Sequence, residues 1–238
     1  MILAAGRGVR MRPLTDVTPK PLLEVQGKPL MQWPIEALAA GGFTELVVNT
    51  DWLGEQIPLR FGHRHAASAI SYSHEGRDFG GALETAGGIV RALPLLGDIF
   101  WVLAGDVFAP EFAFTGEAVD RFAASGRLAH LWLVPNPPHN LRGDFGISPA
   151  GLALNDAPVK HTFSTIGLYR AGLFAPPYCG IPAGNAQGAK APLAPILRAA
   201  MEEGRVGAEL YAGDWTDVGT PERLAALNQK KRPARGGP

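Results

Sequence analysis

The chain carries one cysteine, Cys179, among 238 residues. A lone thiol excludes an internal disulfide and a cysteine-based zinc site, and it fits a reducing cytoplasm. An excess of either charge is also missing, since 22 Lys and Arg balance 22 Asp and Glu. Without a global basic field nothing recruits a nucleic acid, so any anion binding is local and suits a small phosphorylated ligand. No apolar run approaches the roughly 18 residues of a membrane span. No basic segment precedes the short apolar run at the N-terminus, as a signal peptide requires. No serine sits on a GxSxG elbow, and none of the six histidines has HExxH spacing. Serine-hydrolase and zinc-protease chemistry lose their usual carriers.

What is present begins at Ile2–Pro21, ILAAGRGVRMRPLTDVTPKP. A buried apolar strand stops at Gly6, and Gly8 follows. Arg7, Arg10, Arg12 and Lys20 then crowd cations into a loop with few apolar side chains. Glycines let backbone N–H groups converge on oxygen atoms, and Arg and Lys neutralise the charge, so the loop is built to hold phosphate. Lys20 lies between Pro19 and Pro21, whose fixed φ stiffens its backbone. A dinucleotide-binding GxGxxG loop is the poorer reading, because Met11 stands where the third glycine belongs.

Hydrophobic residues make up 46% of the chain, ample for an α/β core. Strands are expected at 2–5, 45–50, 69–73, 99–104, 128–134, 161–169 and 206–212. Between them the spacing predicts helices over 29–40, with Pro29 at the first helical position, and over 52–61, 85–96, 117–124 and 191–203. Residues 74–84 read as a loop, as do 214–219. Thr220 N-caps a final helix opened by Pro221. IFWVLA at 99–104 is unbroken apolar, the pattern of a strand covered on both faces. Alternation of strand and helix predicts a Rossmann-like, doubly wound, mostly parallel sheet. The Pro, Gly and Asn texture after 135 predicts a small β-rich insertion at about 135–170. Residues 1–228 read as one domain, and 229–238 as a disordered tail.

Asp106 follows the strongest strand after Gly105, which puts it at the ligand edge beside the cationic loop. A carboxylate among cations and phosphate is most simply a Mg²⁺ ligand, and Asp217, in the loop after another strand, is the natural second.

LAAGRGVRMRPLT followed by TPKPL resembles the signature of the sugar-phosphate nucleotidylyltransferases. VVNTDWLGEQI, LETAGGI, LAGDV, RGDFG, TFSTIGLY and DWTDVGTPERL match further blocks in order. Within that superfamily, LETAGG and TFS-x-IG are most similar to N-acetylmuramate-1-phosphate uridylyltransferases of a peptidoglycan recycling route. Mannose-1-phosphate guanylyltransferases and glucose-1-phosphate thymidylyl- or uridylyltransferases share most of the blocks. The resemblance implies that Gly6, Gly8 and Arg10 wrap the nucleotide phosphates and that Lys20 contacts the reacting centre. Ala4, Ala5, Glu84, Thr85, Gly87 and Gly88 would border the base, Gly88 letting it lie close to backbone. Gly143, Asp144, Ser164 and Thr165 would face the sugar, and Asp106 and Asp217 would hold Mg²⁺. Ala86 and Thr165 stand where relatives carry glycine, and Lys160 reads as a solvated loop lysine. The implied partners are an NTP, UTP first, and a sugar 1-phosphate, acted on in the cytoplasm by a monomer or small homo-oligomer. A catalytically silent, nucleotide-sugar-sensing regulatory paralogue is the reading from another class; it would be expected to lose the arginine, the lysine or an aspartate, and all are present.

Overall fold

The computed structural model describes residues 1–229. At its centre lies a mixed sheet of eight strands. In chain order these are β1 (Ile2–Ala4), β2 (Glu45–Thr50), β3 (Arg64–His65), β4 (Ser68–His74), β5 (Ile99–Ala104), β6 (Ala129–Val134), β7 (Thr162–Arg170) and β8 (Val206–Leu210). Across the sheet the order is β8-β6-β7-β5-β1-β2-β4-β3. β5, β1, β2 and β4 are mutually parallel, and β6 and β8 pair in parallel. β7 runs antiparallel to both its neighbours, and the short β3 antiparallel to β4. From β1 the chain proceeds outward through β2 and β4, then returns to place β5 on the other side of β1. That reversal is a topological switch point, and it opens a crevice beyond the carboxyl ends of β1 and β5.

The helices are α1 (Gln32–Ala40), α2 (Gln56–Phe61), α3 (Glu75–Phe79), α4 (Glu84–Ala92), α5 (Gly116–Ala124), α6 (Leu193–Glu202) and α7 (Pro221–Gln229). Strand residues alternate between two cores. Phe100 and Val102 of β5 join the cluster formed with α4 and α6, whereas Trp101 and Leu103 join the one formed with α1, α2 and α5. Both faces are therefore covered, and the unbroken IFWVLA run follows from that.

A third cluster unites Met11, Leu23, Val25, Leu30, Phe108, Val218 and Leu227. It sits under the N-terminal loop and explains residue 11: Met11 is fully buried and anchors the loop where a glycine would anchor nothing. Its partners Phe108 and Val218 flank the segments carrying Asp106 and Asp217, so one small core fixes the loop against both aspartates. A buried methionine contributes on the order of 1.5–3 kcal/mol.

Several local expectations change. Lys28–Pro29 pairs antiparallel with Glu24–Val25, the turn being made by Gln26 and Gly27 at φ 51° and 79°. Pro29 thus belongs to a hairpin, and α1 starts at Gln32. The expected loop 74–84 contains the single-turn helix α3, too short to show periodicity and ended by Gly80 at φ 74°. α4 stops at Ala92, and a 3-10 turn over Leu93–Leu95 accommodates Pro94, which lacks an N–H. In the expected insertion only Gly146–Ile147 and Ala153–Leu154 pair as a hairpin, and Thr162–Arg170 belongs to the main sheet. Thr216–Asp217 pairs with Val107–Phe108. Of the expected tail, Gln229 closes α7, and residues 230–238 lie outside the described residues. No described helix is long and apolar enough to cross a membrane.

Candidate active site

The loop after β1 turns at Gly8, whose φ of 65° lies in the left-handed region. A Cβ there would stand 3.0 Å from the Thr15 methyl and 3.3 Å from the Lys20 Cβ, so glycine meets both a conformational and a packing demand. Lys20 is carried inward on the extended backbone of Pro19 and is only 8% exposed. Its Nζ donates to Asp106 Oδ2. The other cations of the loop are arranged differently. Arg7 lies over the Trp52 ring at 4.3 Å, and Arg12 pairs with Asp16 at 2.9 Å. Arg10 is exposed and forms no ion pair among the described residues, which leaves its guanidinium available to an incoming anion.

Asp217 lies opposite Val107 in the short antiparallel pairing, and Val218 N donates to the Asp106 carbonyl at 2.9 Å. The fold therefore brings the two aspartates to adjacent backbone positions. Asp217 Oδ1 is held by Arg223 and by His139 Nε2 at 2.9 Å. Its carboxylate is more tied up than that of Asp106.

The crevice has a volume of about 620 Å³, ordinary for a small-molecule site. Ala4, Ala5, Gly6, Lys20, Glu84, Thr85, Asp106 and Thr165 all line it, as expected. Gly8, Arg10 and Asp217 are not among its lining residues; Gly8 adjoins the lining Lys20, the segment of Asp217 pairs with that of Asp106, and Arg10 is on the exposed part of the loop. Glu84 and Thr165, which both line the crevice, hold left-handed φ values of 60° and 66° without being glycine. Such backbone conformations cost about 1–3 kcal/mol and persist where surrounding structure enforces them.

Other residues are turned to internal packing. Gly87 and Gly88 are buried in α4 and do not line the crevice. A Cβ on Gly88 would sit 2.5 Å from Glu75 Oε1 and 3.0 Å from Asn49 Nδ2, so glycine here permits the close approach of a buried carboxylate. Gly88→Ala is expected to destabilise by about 1–3 kcal/mol through overpacking. Thermal melts alongside Gly116→Ala, where a Cβ meets nothing, should show a lower midpoint for the first variant only. Ala86 is buried in the α4–α6 core and is not among the residues that line the crevice.

On the other wall, the fully buried Ser164 donates its hydroxyl to Trp132 O at 2.6 Å and accepts from Ile166 N, bracing the bulge in β7. Asp144 accepts from Phe163 N at 2.8 Å and from Asn140 Nδ2. Gly143 permits close passage of Lys160, whose carbonyl would lie 2.7 Å from a Cβ. Gly143, Asp144 and Ser164 shape this wall without lining the crevice. Besides Thr165, the apolar side chains of Phe145, Phe163, Leu193 and Leu197 face it.

Residues 1–155 match the model of the family described as Nucleotidyl transferase, which is more than half of the chain. The chain belongs to the nucleotidyl transferase family. It is 48% identical over 229 residues to the N-acetylmuramate alpha-1-phosphate uridylyltransferase of Neisseria meningitidis, covering 94% of each chain. Its identity to the protein of the same name from Caulobacter vibrioides is 33% over 249 residues, covering 95% of this chain and 94% of that one. The fold superposes with a TM-score of 0.78 on a Bacillus anthracis chain assigned as a glucose-1-phosphate thymidylyltransferase and crystallised with sucrose. That likeness, at 20% identity, covers 95% and 92% of the respective chains and speaks to the fold alone.

For a nucleotidyl transferase the residues missed by sequence reasoning are informative. Asn49 and Glu75 line the crevice yet are 3% and 0% exposed. The signal for Asn49 was available, as an amide following the apolar run LVV in ELVVNT, near the carboxyl end of the strand. Glu75 gave none, being one acid in a polar stretch. Phe145 and Phe163 lay inside recognised blocks, but nothing in sequence tells which face a strand aromatic takes.

Proposed function

We propose that this transferase joins UTP and N-acetylmuramate 1-phosphate to give UDP-N-acetylmuramate and pyrophosphate, in peptidoglycan recycling in the cytoplasm. The observation that carries the reading is Lys20, buried at the crevice floor against Asp106, where the glycine loop and both walls meet. The two uridylyltransferase relatives support the nucleotide and the sugar.

In this reaction an oxygen of the sugar phosphate attacks the α-phosphorus of the triphosphate. The bond from that phosphorus to the bridging oxygen breaks, and pyrophosphate leaves from the opposite side. The nucleophile is already anionic, so no general base is required. The obstacle is bringing two polyanions together, and catalysis is positioning with electrostatic stabilisation. Lys20 meets the charge at the reacting centre, Arg10 the outer phosphates, and the Gly6–Gly8 backbone the oxygens between them.

The donor set suits Mg²⁺. Asp106 and Asp217 are hard oxygen donors on neighbouring, paired segments, and the described residues hold no cluster of three or more acidic, His or Cys side chains. Mg²⁺ needs only one or two carboxylates when phosphates and water complete its shell. Asp106 and Asp217 would hold the ion, which when bound supplies neutralising charge to the phosphates.

Phe145, Phe163, Leu193 and Leu197 favour a sugar with apolar substituents, such as acetyl and lactyl methyl groups, over a bare hexose. Pyrophosphate release across the common NTPs and a panel of sugar 1-phosphates tests the proposal. UTP with N-acetylmuramate 1-phosphate should lead, with glucose and mannose 1-phosphates lower in kcat/KM by about 10–200-fold, the range a small apolar group commands. A preference for GTP with mannose 1-phosphate would overturn the assignment of substrates. No release with any pair would favour the regulatory paralogue.

A further inference from the structure

The two loops that border the base side of the crevice are joined by a continuous chain of buried hydrogen bonds. Ala4 N–H, on β1, donates to Asn49 Oδ1 at 2.8 Å. Asn49 Nδ2 donates to Glu75 Oε1 at 2.7 Å, and Leu83 N–H, just before α4, donates to Glu75 Oε2 at 2.7 Å. Both ends of the chain are backbone donors pointing inward. Between them an amide can accept at one end and donate at the other, so the next group has to accept twice. A carboxylate is the side chain that does so. Burial pushes the Glu75 carboxyl above the ordinary carboxylate range, against the pull of its bonds from Leu83 and Asn49. A buried acid is costly to keep, and here it satisfies donors that would otherwise be orphaned.

The ends of this chain are functional positions. Ala4 and Ala5 form one lip of the crevice, and Glu84 and Thr85, directly after Leu83, form the other. Asp51 adds a parallel tie, accepting from Ala82 N at 3.1 Å. We propose that Asn49 and Glu75 are positioning residues that set the separation of the two lips, and so the affinity for the nucleotide, through the polarity of their hydrogen-bond chain. The inference rests on the nucleotide reading of this end of the crevice.

Glu75→Gln keeps shape and volume but turns an NH₂ group toward the Asn49 NH₂. Flipping Asn49 does not help, because its NH₂ would then face Ala4 N–H. Adding Asn49→Asp reverses the polarity. The carboxylate introduced at position 49 accepts from Ala4 N–H and from the amide introduced at position 75. That amide's oxygen still accepts from Leu83 N–H. The double variant therefore satisfies every donor that the single variant orphans.

The test measures UTP dissociation constants by calorimetry, KM for each substrate, and thermal midpoints for wild type, Glu75→Gln and the double variant that combines it with Asn49→Asp. The single variant is expected to weaken UTP binding and raise its KM at least tenfold, with KM for the sugar 1-phosphate within threefold of wild type. The double variant should return UTP affinity to within threefold. A merely structural role would lower the folded fraction and apparent kcat while leaving both KM values alone. Unchanged UTP binding in the folded single variant overturns the proposal. So does a double variant that binds no better than the single one, or that does not fold. A single variant that fails to fold overturns it as well, since the hydrogen-bond chain then serves stability alone. If wild type itself binds no UTP, the nucleotide reading fails instead, and the two failures are told apart.

Discussion

Lys20→Met is expected to lower kcat by about 10²–10³, the usual cost of losing one preorganised donor at a centre where charge develops. The size follows from how the lysine is held. Its stem is buried, Gly8 packs against its Cβ, and Asp106 fixes its ammonium. Little of the orienting cost remains to be met when substrate arrives, so the whole interaction is felt in the transition state. The side chain of Asp106 is 32% exposed, so its carboxylate can recruit water when the lysine is removed. The thermal midpoint should therefore shift by only a few degrees, which separates lost chemistry from lost fold. Lys20→Arg should recover little, because a broad planar guanidinium cannot replace the compact ammonium held against Asp106. Steady-state pyrophosphate release gives the answer, and a Lys20→Met enzyme within tenfold of wild type would remove this residue from the reacting centre.

Asp106→Asn carries the second large effect. The variant preserves volume and an oxygen that can accept from Lys20, but it deletes one negative charge at the crevice floor. Divalent-dependent turnover is expected to fall by at least about 10², and raising the Mg²⁺ concentration should restore only part of it. UTP binding measured without metal should survive, because the glycine loop and Arg10 are untouched and the Lys20 charge is no longer neutralised. Asp217→Asn provides the comparison. Its carboxylate is already paired with Arg223 and in contact with the His139 ring, so the loss there should be smaller. Equal turnover in wild type and Asp106→Asn would refute the metal assignment.

The cationic loop, the buried strand ending at Asp106 and the succession of strands and helices were all legible in the chain. Each rests on a local cause: glycine spacing, proline rigidity, or an apolar run of strand length. The residues expected to border a base and a sugar were less so. Gly87, Gly88 and Ser164 have the right composition for a binding loop, yet packing turns them inward, and Ser164 spends its hydroxyl on the β7 bulge. Asn49 and Glu75 hid for the opposite reason. A buried polar side chain looks like any other until its partners are in place, and those partners come from β1 and the start of α4.

The sequence alone determined that a glycine-rich, cationic turn follows the first strand, that the sheet is covered on both faces, and that two aspartates close later segments. These depend on residues near one another in the chain, where sterics and hydrophobic periodicity act directly. Tertiary structure decided which side chains share the crevice. The reversal of strand order at β1 and β5 sets Lys20 on Asp106, and the Met11–Phe108–Val218 core locks the loop there. Contacts between distant segments are fixed by how whole faces pack, and no window of sequence contains that information.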